Sequence, residues 1–254
     1  MLGTWGAPVF RRAPRASGSI RTVTADILLL SDPAVSAVPI VDNGEPLVDL
    51  RCVTDLRLDP RKRDADGGFA HARAGVAEQL LTAQAALPDG LRLLVVECYR
   101  PPALQHRYFS AYRAELAASR PGTDDSTLDR LTSRYISPIA GAPHCTGGAV
   151  DLTLCTPDGE ELDLGTAVNA SPEESDGGCY TASPLVTGRA RELREALVGT
   201  MVAAGFVNYP TEWWHYSAGE RYWAAVTRTT LARYGPANPS YADLKSRGAV
   251  SLNG

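Results

Sequence analysis

The fold of this protein is organised around the stretch PHCTGGAVDLTL, residues 143–154. It begins with a histidine, passes through a glycine pair and ends in β-branched and apolar residues that predict a strand. A second stretch, PTEWWHY at residues 210–216, supplies another histidine in an aromatic segment that also favours a strand. His144, Asp151 and His215 form a ligand set that zinc accepts, with a fourth position left for water.

The spacing within the two stretches constrains how these side chains can meet. His144 and Asp151 are seven residues apart, so a straight strand would point them to opposite faces. The glycine pair at 147–148 supplies a bend that can bring both side chains to one metal ion. Glu212 and His215 are three residues apart, which again predicts opposite faces. We therefore expect a bulge between Glu212 and His215, or a departure of His215 from the strand.

Two further residues are expected to carry chemistry beside the metal. Glu212 is a carboxylate next to the site, which is what a hydrolase needs as general base. Arg100 follows a predicted strand, and its fixed charge and forked donors suit a carboxylate or a developing oxyanion, although a surface ion pair is the alternative. Cys145 could be considered as a nucleophile, but it adjoins His144, and adjacent residues rarely align as nucleophile and base.

Composition excludes several classes of protein. The 254-residue chain is 44% hydrophobic and 21% charged, which is typical of a soluble globular protein. Its net charge of −4 argues against nucleic acid or an anionic membrane as partner. No apolar run approaches the ~20 residues of a membrane span, and the first residues lack the apolar segment of a secretory signal, so we expect a cytoplasmic protein. The five cysteines form no CxxC pair, which favours reduced thiols.

The remaining chain predicts interleaved helices and strands. Leu193, Leu197 and Met201, for example, recur at helical spacing. Patterns of this kind predict helices at 69–87, 102–118 and 189–204, and strands at 27–30, 91–97, 148–154, 161–164, 206–209 and 212–217. We therefore expect one α+β domain with a central antiparallel or mixed sheet, flanked by helices and carrying the zinc site. His71 and His106 fall in predicted helices and are expected at the surface.

Three segments are expected from the distribution of proline, arginine and polar residues. Residues 1–45 are rich in Pro, Arg, Ser and Ala and are predicted to form an N-terminal arm. Residues 46–227 are predicted to form the domain that carries the zinc site, and residues 228–254 a loosely attached C-terminal tail.

These motifs resemble those of a known family. The His-x6-Asp pattern that begins at residue 144, the EWWH block at 212–215 and the YRP triplet at 99–101 are similar to the zinc D-alanyl-D-alanine dipeptidases of the vancomycin-resistance type. The resemblance extends from about residue 49 to residue 216. It implies a small peptide substrate, with D-Ala-D-Ala as the family's default, and a role in the turnover of cell-wall peptides.

The resemblance also implies a role for each site residue. His144, Asp151 and His215 would bind one zinc ion per chain, Glu212 would be the catalytic base, and Arg100 would stabilise the transition state. Zinc and Glu212 would together activate a water molecule for attack on the peptide carbonyl.

Substrate contacts are where this sequence departs from the family. Family members often have Ser where this chain has Ala142, two residues before the first ligand. Cys52 and Asn169 stand where the dipeptidases are expected to carry Tyr and Asp, which help to hold the substrate's free amino group. We assign Cys52, Asn169, Tyr99 and Trp214 to substrate binding.

Two alternatives remain open at this point. The neutral residues at 52 and 169 leave room for a carboxypeptidase or amidase that acts on a longer or N-blocked substrate. A different class is a non-catalytic zinc-binding module of the same fold, as in Hedgehog signalling domains. Glu212 and Arg100 argue against that class, because neither residue is needed merely to hold zinc.

Overall fold

The computed structural model describes residues 27–240 and Leu244. The helices are α1 (Pro33–Ser36), α2 (Ala74–Ala86), α3 (Pro102–Ser119), α4 (Asp125–Thr132), α5 (Gly188–Ala203) and α6 (Arg221–Thr227). The strands are β1 (Leu47–Asp49), β2 (Arg57–Leu58), β3 (His71–Arg73), β4 (Arg92–Glu97), β5 (Ala149–Cys155), β6 (Val207–Tyr209) and β7 (Glu212–Ser217). None of the helices within these residues is long and apolar enough to cross a membrane.

A five-stranded sheet with the order β2-β4-β5-β7-β6 forms the centre of the fold. β2 runs parallel to β4, and the other neighbouring pairs are antiparallel, so the sheet is mixed. β1 and β3 form a separate antiparallel pair. The predicted α+β class with a mixed sheet and flanking helices is confirmed.

Strand β5 separates the hydrophobic core from the face that carries the site. Successive side chains of a strand point to opposite faces. Val150, Leu152 and Leu154 therefore lie together in the main core, whereas Asp151 points to the other face. Helices α2 and α5 cover the core side through Leu80 and other apolar residues. Every residue of β5 is buried, because both faces of this strand are covered.

The other face of the sheet is covered by α3, α4 and the segments around them. A second apolar cluster holds these helices together and consists of Tyr112, Leu116, Leu128 and Ile136. Helix α4 was not predicted, because the segment 120–138 is polar and only Leu128 and Thr132 of this helix are buried.

Several local predictions are wrong. The apolar run 27–30 forms no strand, because Leu29 and Leu30 pack against Tyr209 and Tyr222 and the Leu30 amide donates to the Tyr209 hydroxyl. The return strand predicted at 161–164 is reduced to a single bridge at Glu161.

The N-terminal part of the predicted helix 69–87 is also different in the structure. Gly68–Ala70 form a 3-10 turn and His71–Arg73 form β3, so the helix begins at Ala74. His71 is consequently buried, and its Nδ1 atom lies 2.9 Å from the Gly67 carbonyl oxygen. The expectation of a surface position holds for His106, which is exposed on α3.

The segment after α6 is packed against the domain as far as the structure describes it. Ala232 forms a parallel bridge with Ile40, and Tyr234 is fully buried. The Ala237 amide donates to the Cys145 carbonyl oxygen at 2.8 Å. The prediction of a loose tail is therefore wrong for residues 228–240. Most of the predicted arm, residues 1–26, and residues 241–243 and 245–254 of the tail lie outside the described residues.

Candidate metal and catalytic site

Three neighbouring strands bring three polar side chains into one row across the sheet. Asp151 on β5 pairs in register with His215 on β7 and with Glu97 on β4. Each of these residues is at least 95% buried, although charged groups are rarely buried without partners. The row therefore forms a polar centre on the face of the sheet opposite the main core.

His144 reaches this row from the turn that precedes β5. It lies in a short 3-10 turn, Pro143–Thr146, that ends at Gly147. Gly147 has a φ of 71°, a left-handed conformation that glycine adopts without steric cost. An added Cβ there would lie 2.3 Å from a Leu47 side-chain carbon. The bend predicted from the glycine pair is confirmed, and it returns His144 to the side of Asp151.

The ligand atoms of His144, Asp151 and His215 converge on one point. Asp151 Oδ1 lies 3.3 Å from His144 Nε2 and 2.9 Å from His215 Nδ1. The two histidine nitrogens are 3.2 Å apart. A tetrahedral ion with bonds of about 2.0–2.1 Å holds its ligand atoms about 3.3 Å apart. These three atoms therefore fit a tetrahedral metal ion that has one position left over.

The protonation of the two imidazoles supports the same interpretation. His144 Nδ1 lies 2.6 Å from the Cys98 carbonyl oxygen, which only accepts hydrogen bonds, so a neutral His144 carries its proton there. Its Nε2 lone pair then points at His215 Nδ1 and at the Asp151 carboxylate. On the far side of His215, Nε2 lies 3.3 Å from Ser217 Oγ. A cation at the meeting point would remove the repulsion between these electron-rich atoms.

Burial and charge oppose each other at the Asp151 carboxyl. Burial alone would raise the pKa of Asp151, but the charges and hydrogen bonds of His144 and His215 outweigh it and hold that pKa well below its ordinary value. Burial lowers the pKa of His215, which favours the neutral imidazole that binds metals. The site thus offers one carboxylate and, at His215, an imidazole whose neutral form is favoured by burial.

Glu212 lies beside this ligand set but outside it. Its Oε2 atom is 3.8 Å from His215 Nδ1, and the three atoms that could share a metal ion belong to the other residues. Burial, and then the neighbouring Asp151 charge, raise the pKa of Glu212 well above its ordinary value. A carboxyl that is poised to hold a proton can exchange that proton with a reacting group.

A bulge in β7 places Glu212 and His215 on the same side. Against β6, Tyr216 pairs with Asn208, whereas Glu212 pairs with Tyr209, so residues 213–215 are extra on the β7 side. The predicted bulge is confirmed. The Asn208 side chain bridges the bulge, because its Nδ2 donates to the carbonyl oxygens of Glu212 and His215, each at 3.0 Å.

Replacement of Asn208 tests whether this amide positions the two site residues. Asn208→Asp keeps the shape but puts an oxygen against two carbonyl oxygens. We expect kcat and zinc affinity each to fall about tenfold to a hundredfold, the scale for a lost outer-shell partner. Thr181→Val is the matched control, because it removes only the 2.6 Å hydrogen bond to Asn208 Oδ1. Wild-type kcat and zinc affinity in Asn208→Asp would refute this positioning role.

Arg100 is held rigidly at the edge of the site. Its Nε and Nη2 donate to the two oxygens of Glu97 at 2.7 and 2.6 Å, and Nη1 donates to Gln105 Oε1 at 2.7 Å. Its backbone amide donates to the His144 carbonyl oxygen at 3.1 Å. Three of five guanidinium donors are thus engaged, and two can face a substrate. Burial would raise the pKa of Glu97, but the Arg100 charge lowers it, so the pair is ionic.

A small cavity of ≈30 Å³, which we call the site cavity, joins these groups. Its walls include Arg100, His144, Asp151, Glu212 and His215, and also Asn169.

The other predicted substrate residues do not line the site cavity. Trp214 is fully buried in the main core, and Tyr99 is buried with its hydroxyl donating to the Ala237 carbonyl oxygen. Cys52 is exposed on the turn before β2. Cys145 is also absent from the cavity wall, and burial raises its pKa to about 11, so it is a protonated thiol rather than a nucleophile.

Several residues of the site were not predicted from the sequence. Glu97 could have been found, since it is the one acidic residue of an apolar strand and lies three residues before Arg100. The cavity lining also includes Leu30, Lys62, Gln105, Tyr108 and Tyr135. Gln105 and Tyr108 come from α3, whereas the other three come from separate turns, and no local pattern in the sequence links these elements.

Comparison with known proteins assigns the family. The model of a family described as D-ala-D-ala dipeptidase matches residues 68–232. The chain is 31% identical over 217 residues to a D-alanyl-D-alanine dipeptidase of Synechocystis sp., covering 74% of this chain and 87% of that protein. It is 28% identical over 182 residues to the D-alanyl-D-alanine dipeptidase of Escherichia coli K12, covering 67% and 83%.

A solved structure of the vancomycin-resistance D,D-pentapeptidase VanY in complex with Zn(II) is also similar. The match has a TM-score of 0.37 and 16% identity, and it covers 78% of this chain and 97% of that chain. The family assignment rests on the sequence matches, which span most of the described domain. This chain belongs to the D-Ala-D-Ala dipeptidase family of peptidases.

Proposed function

We propose that this protein is a zinc peptidase that hydrolyses D-Ala-D-Ala or a closely related small peptide. The observation that carries the proposal is the convergence of His144, Asp151 and His215 on one point, with a second carboxylate, Glu212, beside them but outside the ligand set. A purely structural zinc site has four protein ligands, whereas a catalytic site leaves one position open. Glu212 and Arg100 at the same cavity favour catalysis over a silent binding module.

Zinc would be held by His144 Nε2, His215 Nδ1 and Asp151 Oδ1. The donor set of two imidazoles and one carboxylate, and the spacing of its atoms, fit this ion. When bound, zinc supplies Lewis acidity and positive charge, which polarise the peptide carbonyl, acidify a water and favour the carboxylate form of Glu212.

Glu212 and Arg100 would then do separate parts of the reaction. Glu212 accepts a proton from the attacking water and delivers it to the leaving amine, so it works first as base and then as acid. Arg100 directs its free N–H groups at the carbonyl oxygen, where negative charge develops. Its bonds to Glu97 and Gln105 fix these donors before the substrate binds, so little reorganisation is needed.

Arg100→Lys tests the role of the guanidinium. Lysine keeps the positive charge but loses the planar fork that engages Glu97 on one side and the substrate on the other. We expect kcat to fall by about tenfold to a thousandfold, with zinc content unchanged and a stability loss of about 1–3 kcal/mol from hydrogen bonds left unmade. Steady-state kinetics, elemental analysis and denaturant unfolding measure these quantities. Wild-type turnover would reduce Arg100 to a structural partner of Glu97.

The substrate's amino end is the second subject of the proposal. Asn169 lies at the site cavity, at the position where the resemblance implies an acidic residue that holds the amino group. An amide can form a hydrogen bond but cannot neutralise an ammonium charge. We therefore propose that a free amino terminus is not strictly required.

A panel of free and N-acylated dipeptides, read by mass spectrometry with zinc-loaded protein, tests both parts. We expect release of D-alanine from D-Ala-D-Ala, and a kcat/KM for the N-acetyl analogue within about tenfold of that value, or roughly 1.4 kcal/mol. Asn169→Asp should raise kcat/KM for the free dipeptide and lower it for the acylated one. A preference of about a thousandfold for the free amine would restore a strict dipeptidase.

The proposal extends to location and pathway. The five cysteines are free thiols, which supports a reducing compartment such as the cytoplasm. The family's dipeptide suggests turnover of cell-wall peptides. The division into an arm at 1–45, a peptidase domain at 46–227 and a tail at 228–254 remains a prediction, although Leu30 contributes to the site cavity.

A further inference from the structure

A second cavity adjoins the site cavity, and we call it the side cavity. Its volume is ≈530 Å³, which falls in the ~300–1,000 Å³ range of small-molecule sites. Helix α3 forms one wall through Tyr112, Glu115, Leu116 and Ser119, and the loop after β5 forms the other through residues 171, 173 and 174. Lys62, Tyr135 and Asn169 line both cavities, so they mark the junction between the two.

The side cavity has a fixed wall. Tyr112 and Arg134 both bond to Glu173, which ties α3 to the loop after β5. Tyr112 also packs edge-on against Tyr135, with ring centroids 5.0 Å apart. Because these groups are held by one another, the cavity is built before a ligand arrives. Leu116 and the tyrosine rings offer apolar surface to an alkyl group.

The junction presents hydrogen-bond donors. The Tyr135 hydroxyl donates to the Asn169 backbone carbonyl at 2.6 Å, so that oxygen is already occupied. Asn169 Nδ2 is buried and has no partner. The Lys62 ammonium lies 5.2 Å from the centre of the Tyr108 ring and forms no ion pair with a carboxylate in the described part of the chain. These donors suit a carbonyl oxygen, whereas a substrate ammonium there would face the like charge of Lys62.

The sizes of the two cavities show how a substrate can be arranged. The site cavity of ≈30 Å³ is far smaller than the ~300–1,000 Å³ of typical small-molecule sites, so a bound peptide must extend beyond it. A peptide that ends in D-Ala-D-Ala stops at its terminal carboxylate and can continue only from its amino end. A cavity that continues past the junction therefore matches the amino-terminal side of the substrate.

We propose that the side cavity binds the residue that precedes the D-Ala-D-Ala pair, so that this peptidase acts on peptides extended at the amino end. The acyl carbonyl of that residue accepts hydrogen bonds at the junction, and its side chain contacts Leu116 and Tyr112. This inference rests on the proposed function and specifies its substrate class.

The test compares D-Ala-D-Ala with N-acetyl-norleucyl-D-Ala-D-Ala, whose third residue carries an alkyl side chain. For wild type we expect kcat/KM at least tenfold higher for the extended peptide. Glu115→Trp fills the side cavity from the exposed surface of α3 and should lower this ratio by tenfold or more. Ala114→Trp is the matched control, because residue 114 is exposed on the same helix but does not line the cavity, and it should leave the ratio unchanged.

Binding to a slow variant gives an independent measurement. Calorimetric titration of zinc-loaded Glu212→Gln should show that the extended peptide binds more tightly than D-Ala-D-Ala. Adding Glu115→Trp to this variant should remove the difference in affinity. If wild type cleaved the free dipeptide but cleaved the extended peptide more than tenfold more slowly, the inference would be overturned. The proposed function would still stand. An equal fall in kcat/KM for both peptides in Glu115→Trp would also overturn the inference. Cleavage of neither peptide by wild type would refute the proposed function itself.

Discussion

Glu212→Gln is expected to lower kcat by about two to four orders of magnitude while the protein keeps its zinc. The amide has the size of the carboxyl but cannot accept the proton of the attacking water. Zinc should stay, because Glu212 Oε2 lies 3.8 Å from His215 Nδ1 and is not one of the three converging ligand atoms. Steady-state rates and zinc content of the same preparation provide the measurement.

A matched exchange elsewhere controls for the loss of one carboxylate. Glu195→Gln makes the same chemical change at an exposed position of α5, and we expect wild-type rates from it. If Glu212→Gln instead lost zinc, Glu212 would be a ligand, and the distinction from Asp151 would be wrong. If it kept full activity, another group would have to accept the proton.

His215→Ala is expected to abolish activity through loss of the metal. Loss of an outer-shell partner weakens metal binding by about 10–100-fold, and loss of one of three protein ligands should weaken it further. The substitution also removes a 2.9 Å contact from the buried Asp151 carboxylate, which should cost about 1–3 kcal/mol of stability in the metal-free protein. Competition with a zinc chelator measures the affinity, and denaturant unfolding measures the stability.

The comparison for this variant is His106→Ala, which removes an exposed imidazole from α3. It should change neither zinc affinity nor rate. Chelator competition that gives the same zinc affinity for His215→Ala and His106→Ala would exclude His215 from the metal site.

Local patterns in the sequence were sufficient for the class of fold and for the meeting of His144, Asp151 and His215. Strand β5 alternates apolar core residues with Asp151, and the glycine pair before it marks the bend at His144. The three-residue spacing of Glu212 and His215 indicated either a bulge or a departure of His215 from the strand, and the pairing of β6 with β7 contains the bulge. Each of these features is encoded within a few neighbouring residues, so it could be predicted without the tertiary structure.

Features that depend on contacts between distant segments could not be predicted. The pairing of Glu97 with Asp151 follows from strand register, and the amide of Asn208 reaches β7 from a separate strand. Trp214 adjoins His215 in sequence but does not line the site cavity, since neighbouring residues on a strand face opposite sides. Tyr99 adjoins Arg100 but lies beyond the end of β4, and its hydroxyl donates to the Ala237 carbonyl oxygen of a distant segment. The junction formed by Lys62 and Tyr135 depends on where two loops meet in space.

Zinc content, measured by elemental analysis on wild type, Glu212→Gln and His215→Ala purified in parallel, tests the central claim most directly. The claim is that three residues hold the ion and that the fourth, Glu212, acts on the water without holding the metal. The expected result is one zinc per chain in wild type and in Glu212→Gln, and far less than one in His215→Ala. Equal zinc in all three proteins, or loss of zinc from Glu212→Gln, would contradict it.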